Sequence, residues 1–268
     1  MVTSLAFRAA IVITVIASPF VGCFAATFIR ASLTGERIFL GRSHCPDCRR
    51  QLTGLDLVPL FSWLLSLGAC RHCRTPIPLL YPGLELAFFA ATLWASQIEQ
   101  NELILPAIVL GWVLIVLFAF DITAFVLPNF LTYSLLACGL GLSLSGGPDA
   151  GLESAAGALG GGACLLLVKF SYRLVTRRDG LGMGDVKLFA AAGAWVGIEG
   201  LPQILLIASV LGLIYAALYL RGPLETVSLE RVPFGAGLCL ALWLTWIGGP
   251  MLPPDFERIQ LPAAMLGG

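Results

Sequence analysis

The sequence predicts an all-α, polytopic membrane protein with about eight transmembrane helices and a small polar module between helices 1 and 2. Three observations support this fold class. The 268 residues are 58% hydrophobic and only 12% charged, about half the charged fraction of a soluble domain. Long apolar stretches recur along the chain, and charged residues are concentrated in the loops between them. The net charge is zero, so nothing in the composition points to a nucleic-acid partner.

Eight apolar stretches are the candidate helices, and most approach the roughly 20 residues that span a bilayer. The first begins after Arg8 and stays apolar through Ile29, so we expect a retained helix rather than a cleaved signal peptide. The sixth is short, and we expect it to tilt, distort the membrane or begin earlier. The stretches are 9–29, 82–98, 103–120, 127–145, 152–172, 186–199, 201–220 and 232–249.

The arginines of alternate loops predict the orientation. Loops 30–81, 173–185 and 221–231 contain arginines, whereas the segments near 99–102, 146–151 and 199–200 contain no Lys or Arg. The positive-inside rule therefore places the first set of loops in the cytoplasm and both termini outside. The arginines of the cytoplasmic set are Arg30, Arg37, Arg42, Arg49, Arg50, Arg71, Arg74, Arg173, Arg177, Arg178, Arg221 and Arg231, and each outer terminus carries one more, Arg8 or Arg258.

Two aspartates at the ends of apolar stretches are the main candidates for chemistry. Asp121 ends the stretch that precedes it, and Asp185 follows Gly182-Met183-Gly184 and opens the next. The predicted orientation puts both on the cytoplasmic side. A carboxylate at a membrane boundary is costly unless it is paired, solvated or used. Two carboxylates that meet can activate water and protonate a leaving group, as in an aspartic protease.

Four cysteines in loop 30–81 predict a metal site. Cys45 and Cys48 form one Cys-x-x-Cys pair, and Cys70 and Cys73 form another, with 21 residues between the pairs. This spacing is typical of a four-thiolate zinc site, and four thiolates leave no open position for water, so the metal would be structural. A disulfide or a redox pair is less favoured, since the loop is predicted to lie in the reducing cytoplasm.

Histidine usage narrows the catalytic options. His44 and His72 are the only histidines, and each neighbours a cysteine of the predicted zinc site. They are expected to be exposed, although a ligand swap with a neighbouring cysteine is an alternative. A serine or cysteine hydrolase mechanism would therefore lack a histidine base in the membrane part, which leaves the two carboxylates.

Taken together, these motifs resemble those of the bacterial type IV prepilin peptidases, membrane aspartic proteases of the Gly-x-Gly-Asp class. The resemblance extends from about Gly22 to Trp246. It is carried by Cys45-Pro46-Asp47-Cys48, Asp56-Leu57-Val58-Pro59, Cys70 to Cys73, Tyr81-Pro82-Gly83-Leu84-Glu85, Asp121 with Leu127-Pro128-Asn129, Gly182-Met183-Gly184-Asp185-Val186-Lys187 and Val232-Pro233-Phe234-Gly235.

The resemblance implies a bifunctional enzyme of the bacterial inner membrane with its active site facing the cytoplasm. It implies cleavage of a basic leader from type IV prepilins or type II secretion pseudopilins at a Gly–Phe bond. It also implies N-methylation of the new terminus with S-adenosylmethionine, a function associated with the cysteine loop and Glu85. Asp121 and Asp185 would be catalytic, supported by motif residues Gly182, Gly184, Lys187 and Pro128. Asn129 departs from the aspartate found in many members.

The support residues carry more specific expectations. Gly182 and Gly184 are expected to allow close backbone approach to substrate and a φ closed to other residues. Lys187 is expected either to pair with a carboxylate or to face lipid headgroups, and Glu85 either to serve methyl transfer or to be an interfacial carboxylate. The proline of Val232-Pro233-Phe234-Gly235 is expected at the start of the last helix.

Three parts are predicted along the chain. Residues 1–100 would form the methyltransferase part with the zinc module, residues 101–250 the protease core, and residues 251–268 a C-terminal tail. Three other functions remain open on the sequence. They are a peptidase whose zinc module is only structural, a non-enzymatic zinc-ribbon component of a secretion or pilus apparatus, and a transporter that uses its carboxylates for proton coupling.

Overall fold

The computed structural model describes residues 5–35, 43–98, 101–220 and 232–249. Within these ranges every regular secondary-structure element is a helix, which confirms the all-α prediction. Two isolated β-bridges occur in the polar loop 30–81. Some predicted features lie outside the described residues. They are Arg37, Arg42, loop 221–231 with Arg221 and Arg231, and the tail 251–268 with Arg258.

Four helices are long and apolar enough to cross a bilayer, judged by length and composition, and the predicted number of eight crossings stays a prediction. These four are α1, α4, α6 and α7, while α3, α5 and α8 are shorter apolar helices. The helices are α1 (Leu5–Thr34), α2 (Phe61–Leu65), α3 (Leu80–Ala95), α4 (Asn101–Ala124), α5 (Asn129–Ser145), α6 (Pro148–Thr176), α7 (Met183–Leu220) and α8 (Phe234–Gly248), with a 3-10 turn at Gly54–Leu57.

The chain divides into two compact units, the first ending at Val116 and the second beginning at Leu117. In the first unit α1 packs against α3. A Cβ added to Gly22 would lie 2.8 Å from the Cα of Glu85, so the two backbones touch at this level. Trp112 of α4 donates a hydrogen bond of 2.9 Å to the hydroxyl of Thr92 in α3. Small residues and buried polar contacts therefore hold this helix group together, as is usual in membranes.

The second unit is built around α6 and α7, which also approach closely through glycines. A Cβ on Gly193 would collide with the carbonyl oxygen of Gly157. One turn away, the Ser154 hydroxyl donates a 2.7 Å hydrogen bond to the carbonyl of Ala194. Any larger residue at either glycine would push the helices apart, because the space is filled by backbone rather than by side chains that could move.

A break at Gly197 reverses the direction of α7. Gly197 has φ 70° and ψ −177°, a conformation that glycine reaches far more easily than other residues. A Cβ on Gly161 of α6 would lie 2.8 Å from the Phe189 carbonyl oxygen and 3.4 Å from Leu201 Cδ1. A straight helix would separate residues 189 and 201 by about 18 Å, so the two segments must fold back beside each other. The reversal returns the chain toward the level of Asp185 before α8 begins.

Candidate active site

The two predicted aspartates lie at helix ends within the second unit. Asp121 is in the last turn of α4 and is only 5% exposed, and Asp185 is the third residue of α7 and is half-buried. Neither lies near the middle of its helix. The placement of both acids at a membrane boundary, where a carboxylate costs less than in the hydrocarbon core, stays a prediction.

Their carboxyl groups converge on Gly235 in the first turn of α8. A Cβ built on Gly235 would lie 3.0 Å from Asp121 Oδ2 and 3.0 Å from Asp185 Oδ1. The two oxygens are therefore separated by at most twice that distance. The absence of a side chain at residue 235 keeps this space open, and a single water would be within reach of both acids.

The N-terminus of α8 binds Asp121 directly. The Ala236 N–H donates a 2.7 Å hydrogen bond to Asp121 Oδ2, and the Gly235 N–H also donates to this carboxylate. The first N–H groups of a helix have no partners within it, and they carry the positive end of the helix dipole. They are thus suited to hold a carboxylate in a buried position. Asp185 is held similarly, by the backbone N–H of Gly182.

Sequence reasoning missed the backbone donors of Gly235 and Ala236 and the packing role of Leu127. The Val232-Pro233-Phe234-Gly235 motif was expected at the start of the last helix, and Pro233 is indeed the N-cap residue of α8. The glycine of this motif, Gly235, was the one sequence signal that could have indicated a functional role for the start of α8. Its contact with Asp121 spans 115 residues of sequence and therefore could not be read from local pattern.

Leu127 explains why residue 184 is a glycine. A Cβ on Gly184 would lie 2.9 Å from Leu127 Cβ, and one on Gly235 would lie 2.8 Å from Leu127 Cδ1. The expectation that Gly182 and Gly184 need a special φ is wrong, because neither has a positive φ. Gly184 is helical, and space rather than conformation excludes a side chain. A Cβ on Gly182 would lie 3.0 Å from Asp185 Oδ2, so the same reason applies there.

The hydrogen bonds of Pro128 and Lys187 are with residues other than the two aspartates. Pro128 is the N-cap residue of α5, and its carbonyl accepts the N–H groups of the first turn. Lys187 Nζ lies 2.8 Å from Asn129 Oδ1 and 5.1 Å above the centroid of the Tyr133 ring. In the described part of the chain Lys187 thus binds an amide and an aromatic face rather than either aspartate. The side chain at residue 129, which departs from the family pattern, is its partner.

The four cysteines of the first unit come together. Their sulfur atoms all lie within 4.8 Å of one another, and the Sγ atoms of Cys45 and Cys73 are 3.7 Å apart. Tetrahedral zinc with Zn–S bonds of about 2.3 Å requires S···S separations of about 3.8 Å. The donor set therefore fits one zinc ion, as the spacing predicted.

Each Cys-x-x-Cys pair has the same backbone turn. Cys45 N–H donates to the Arg50 carbonyl and Cys70 N–H to the Thr75 carbonyl, and an N–H four residues after each first cysteine returns to that cysteine's carbonyl. The residue at that return position, Arg49 or Arg74, has a positive φ in both turns. The module is thus two copies of one knuckle that face each other through their sulfurs.

The sulfurs do not ionise independently. The hydrogen bond with the Thr75 hydroxyl is the largest influence on Cys73, and it lowers the pKa of that thiol to about 6. For Cys48 the largest single influence is a backbone hydrogen bond from Arg50, which lowers the pKa. Desolvation and the three neighbouring sulfurs outweigh it and raise the Cys48 pKa to about 11. Crowded sulfurs resist carrying several negative charges without a cation among them.

Asp56 connects the 3-10 turn with the second knuckle. Its Oδ2 accepts hydrogen bonds from the hydroxyl and the N–H of Thr53, at 2.7 and 3.0 Å. Its Oδ1 lies 3.5 Å from the guanidinium of Arg71. The Thr53 hydrogen bonds, and then Arg71, hold the pKa of Asp56 below its usual value. This carboxylate therefore has a structural role beside the cysteines.

Glu85 has a structural setting that the sequence did not indicate. It is 5% exposed, and its Oε2 accepts a 2.7 Å hydrogen bond from the N–H of Leu60, just before α2. The thiol of Cys23 in α1 is a second hydrogen-bond partner. Leu60 has φ 60°, an uncommon conformation for a leucine. Glu85 therefore ties the polar module to the helix pair α1 and α3.

These features define a class of protein. It is a helical, multi-pass membrane protein that carries a converging carboxylate pair at helix ends and a four-cysteine cluster in a polar loop. Comparison with family models gives the family. Residues 108–217 match the type IV leader peptidase family, and residues 16–98 match the bacterial peptidase A24 N-terminal domain. The chain belongs to the type IV leader peptidase family.

Named relatives agree over most of the chain. A prepilin leader peptidase/N-methyltransferase of Aeromonas hydrophila is 35% identical over 215 residues, covering 79% of this chain and 73% of the relative. A relative from Escherichia coli O78:H11, named type 4 prepilin-like proteins leader peptide-processing enzyme, is 38% identical over 205 residues. The match covers 76% of this chain and 73% of the relative. No solved structure matches the chain significantly.

Proposed function

We propose that this protein is an inner-membrane aspartic endopeptidase that removes the basic leader of type IV prepilins or type II secretion pseudopilins at a Gly–Phe bond and N-methylates the new terminus. The names of the relatives and the peptidase family support the class of reaction. The observation that carries the proposal is the convergence of Asp121 and Asp185 on the open space at Gly235.

The mechanism follows from two carboxyl groups that share one site. Like charges at this separation favour a state in which one is ionised and the other protonated. The ionised group takes a proton from water, the resulting hydroxide attacks the scissile carbonyl, and the protonated group gives its proton to the leaving amine. Water is added across one peptide bond, and the pair keeps one proton in total, ready for another cycle.

The surrounding backbone holds the acids for this work. The N–H groups of Gly235 and Ala236 fix Asp121, and the N–H of Gly182 fixes Asp185. Rigid donors from a helix N-terminus keep a carboxylate in position without needing mobile side chains. Leu127 fills the adjacent space and keeps the glycine surfaces packed.

One structural zinc ion would be held by the four cysteines of the module, Cys45, Cys48, Cys70 and Cys73. Zinc bound there would supply a cross-link between the two knuckles and no peptide chemistry, since four thiolates would complete its coordination. The chain's own hydrogen bonds already shape both knuckles, so metal binding would lock a turn geometry that is largely present.

We assign methyl transfer to residues 1–100, with S-adenosylmethionine as donor. The donor supplies the methyl group, and the pilin amine must be uncharged to accept it. The contacts of Glu85 favour an anchoring role over that of a base. Its Oε2 is occupied by the Leu60 N–H, and the side chain is buried between α1 and the module. In this proposal Glu85 maintains the shape of the methyltransferase part.

The alternatives account for fewer observations. A proton-coupled transporter would place its acids near mid-membrane, whereas Asp121 and Asp185 lie within three or so residues of helix ends. A zinc-ribbon scaffold without enzymatic activity would need the cysteines but not a converging acid pair. A peptidase with a purely structural module differs from our proposal only in lacking methyl transfer.

The test replaces each acid separately. Asp121→Asn and Asp185→Asn should each reduce leader cleavage by about a thousandfold or more, because a fixed amide can serve neither as base nor as acid. Cleavage of a purified prepilin is followed by mass spectrometry, and accumulation in the membrane by immunoblot. Asp149→Asn is the matched control, since Asp149 is an exposed acid in the first turn of α6. Normal cleavage by either active-site variant would overturn the proposal.

A further inference from the structure

The polar module carries an exposed apolar surface that the proposed chemistry does not use. Leu67 is 88% exposed and Leu65 is 75% exposed, although both belong to a folded part of the chain. Single exposed leucines need no explanation, but a contiguous apolar surface marks an interaction site. The members of this surface, which we call the leucine face, are Phe61, Leu64, Leu65, Leu67 and Leu79.

Local geometry places most of the leucine face together. Phe61, Leu64 and Leu65 are spaced i, i+3 and i+4 in α2, so they share one side of that helix. Just beyond α2, the Gly68 carbonyl accepts a 2.7 Å hydrogen bond from the Ile77 N–H. That pairing brings the segment with Leu67 next to the segment that leads to Leu79.

The chain around α2 is held in an uncommon conformation. Leu60 before α2 and Leu67 after it have φ values of 60° and 53°. Bulky residues rarely adopt a positive φ, and such a conformation persists only where the surrounding structure fixes it. Here the fixed conformation directs apolar side chains outward, which is costly in water and favourable in an apolar environment.

The leucine face continues an exposed stripe of α3. Leu79, Leu86 and Leu93 are spaced by seven residues, lie on one side of the helix and are all exposed. On an apolar helix that crosses a bilayer, such a stripe faces lipid. The hydrogen bond from Leu60 N–H to Glu85 Oε2 holds the start of α2 level with the first two turns of α3. The leucine face therefore lies where the lipid-facing stripe reaches the membrane surface.

The charge of the module fits an anionic bilayer. The described residues between 43 and 79 include four exposed arginines but only two acids, Asp47 and Asp56, and Asp56 is already engaged by Thr53 and Arg71. Basic groups beside an apolar surface are typical of segments that lie in the headgroup region of anionic membranes. The arginines are Arg49, Arg50, Arg71 and Arg74.

We propose that the leucine face lies in the boundary between the headgroups and acyl chains of the bilayer and docks the four-cysteine module on the membrane surface. The occupant of this surface is lipid rather than a second copy of the chain or a pilin. The proposal rests on the proposed function of the chain as a multi-pass membrane enzyme and on the predicted membrane crossing of stretch 82–98, which α3 largely covers. It does not depend on the carboxylate pair or on either catalytic activity.

Site-directed photocrosslinking of the full-length protein tests this placement. The photoreactive residue p-benzoylphenylalanine replaces Leu65 or Leu67 in protein reconstituted into nanodiscs of phosphatidylethanolamine and phosphatidylglycerol. The same replacement at Leu86 is the lipid-facing positive control, and at exposed, polar Gln51 it is the matched control in the module. After irradiation we expect phospholipid adducts at Leu65 and Leu67 at least about tenfold above those at Gln51.

A second measurement avoids substitution altogether. Wild-type protein in nanodiscs with a diazirine-tailed phosphatidylglycerol should carry label within residues 61–67, as mapped by peptide mass spectrometry. Label confined to helices α1, α3 and α4 of the first unit would overturn the proposal. Adducts at Leu65 and Leu67 that contain a second copy of the chain or an added prepilin, instead of lipid, would overturn it as well. Accumulation of each photoreactive variant in the membrane at the wild-type level, and elution from a sizing column at the wild-type position, show that the variant is folded.

Discussion

The four-cysteine module and the carboxylate pair differ in how they are assembled. Each cysteine knuckle closes on itself through hydrogen bonds within six residues, and the facing sulfurs of Cys45 and Cys73 are 28 residues apart. The acid site requires three separate helices, and its hydrogen bond from Ala236 to Asp121 spans 115 residues. A locally built site tolerates changes elsewhere in the fold, whereas a site built from distant helices depends on their packing.

The two regions also use their backbones differently. In the module, positive φ values at Arg49 and Arg74 shape the turns. At the acid pair, glycines in ordinary conformations provide space, and helix N–H groups provide the donors. Substitutions should therefore act through turn geometry in one region and through side-chain volume in the other.

The largest expected effect is the separation of the two activities. Asp185→Asn should lower the rate of leader cleavage by about a thousandfold or more, because one acid cannot perform both proton transfers. It should leave methylation of a pre-cleaved, Phe-ended pilin intact, since the proposed methyltransferase part is the other unit. Transfer of a labelled methyl group from S-adenosylmethionine measures the second activity. A folded, membrane-inserted variant that also fails to methylate this substrate would refute the two-site arrangement.

Filling the space between the acids should be nearly as damaging. In Gly235→Ala the new methyl group would lie 2.8 Å from Leu127 and 3.0 Å from both carboxylates. Displacing groups that must align for reaction costs about a hundredfold in rate, and we expect a loss of that size in leader cleavage. Gly141→Ala in α5 is the matched control, because a Cβ there meets nothing within 4 Å. Equal activities of the two variants would show that the space at residue 235 is not needed.

Loss of the metal should have a smaller effect on cleavage. Purified wild-type protein should contain about one zinc ion per chain, and Cys45→Ser or Cys70→Ser should release it. Inductively coupled plasma mass spectrometry measures the ratio, with Cys138→Ser as a control for a single cysteine in an apolar helix. Cleavage should partly survive, because the proposed metal would do no peptide chemistry. Stoichiometric zinc in a double Cys45→Ser/Cys70→Ser variant would exclude this ligand set.

The smallest expected effect is that of Glu85→Gln on methyl transfer, and it distinguishes an anchoring role of Glu85 from a role as a base. Glu85→Gln keeps an oxygen acceptor for the Leu60 N–H, so methyl transfer should stay within about fivefold of wild type. Glu85→Ala leaves that N–H without its acceptor, which costs about 1–3 kcal/mol, and methylation should be largely lost while cleavage remains. If the glutamine variant is as inactive in methylation as the alanine variant, Glu85 acts through its proton and the anchoring role is wrong.

Much of the protein was predictable because the signals are local. The all-α class follows from composition and apolar stretches, and the cysteine cluster follows from two short motifs at a typical spacing. The break in α7 at Gly197 falls near the end of one predicted apolar stretch, 186–199, and close to the start of the next, 201–220. The family could likewise be recognised from short motifs around Asp121, Asp185 and the cysteines.

Other features depended on contacts between distant segments. The sequence suggested a special φ for Gly182 and Gly184, but the packing of Leu127 and the Asp185 carboxylate determines why side chains are excluded there. Lys187 was expected either to pair with a carboxylate or to face lipid headgroups. Its amine binds Asn129 rather than either aspartate, and the lipid alternative stays a prediction.

The sequence by itself determined the helical class, the long apolar helices, the four-cysteine cluster and the two aspartates as candidates, because each is encoded in composition or in residues a few positions apart. Only the tertiary structure decided that Gly235 lies between the acids, that the α8 backbone holds Asp121, and that Glu85 binds Leu60. Those contacts arise when helices pack and α7 reverses at Gly197. Their physical cause is the close fit of distant backbone surfaces, which no local pattern records.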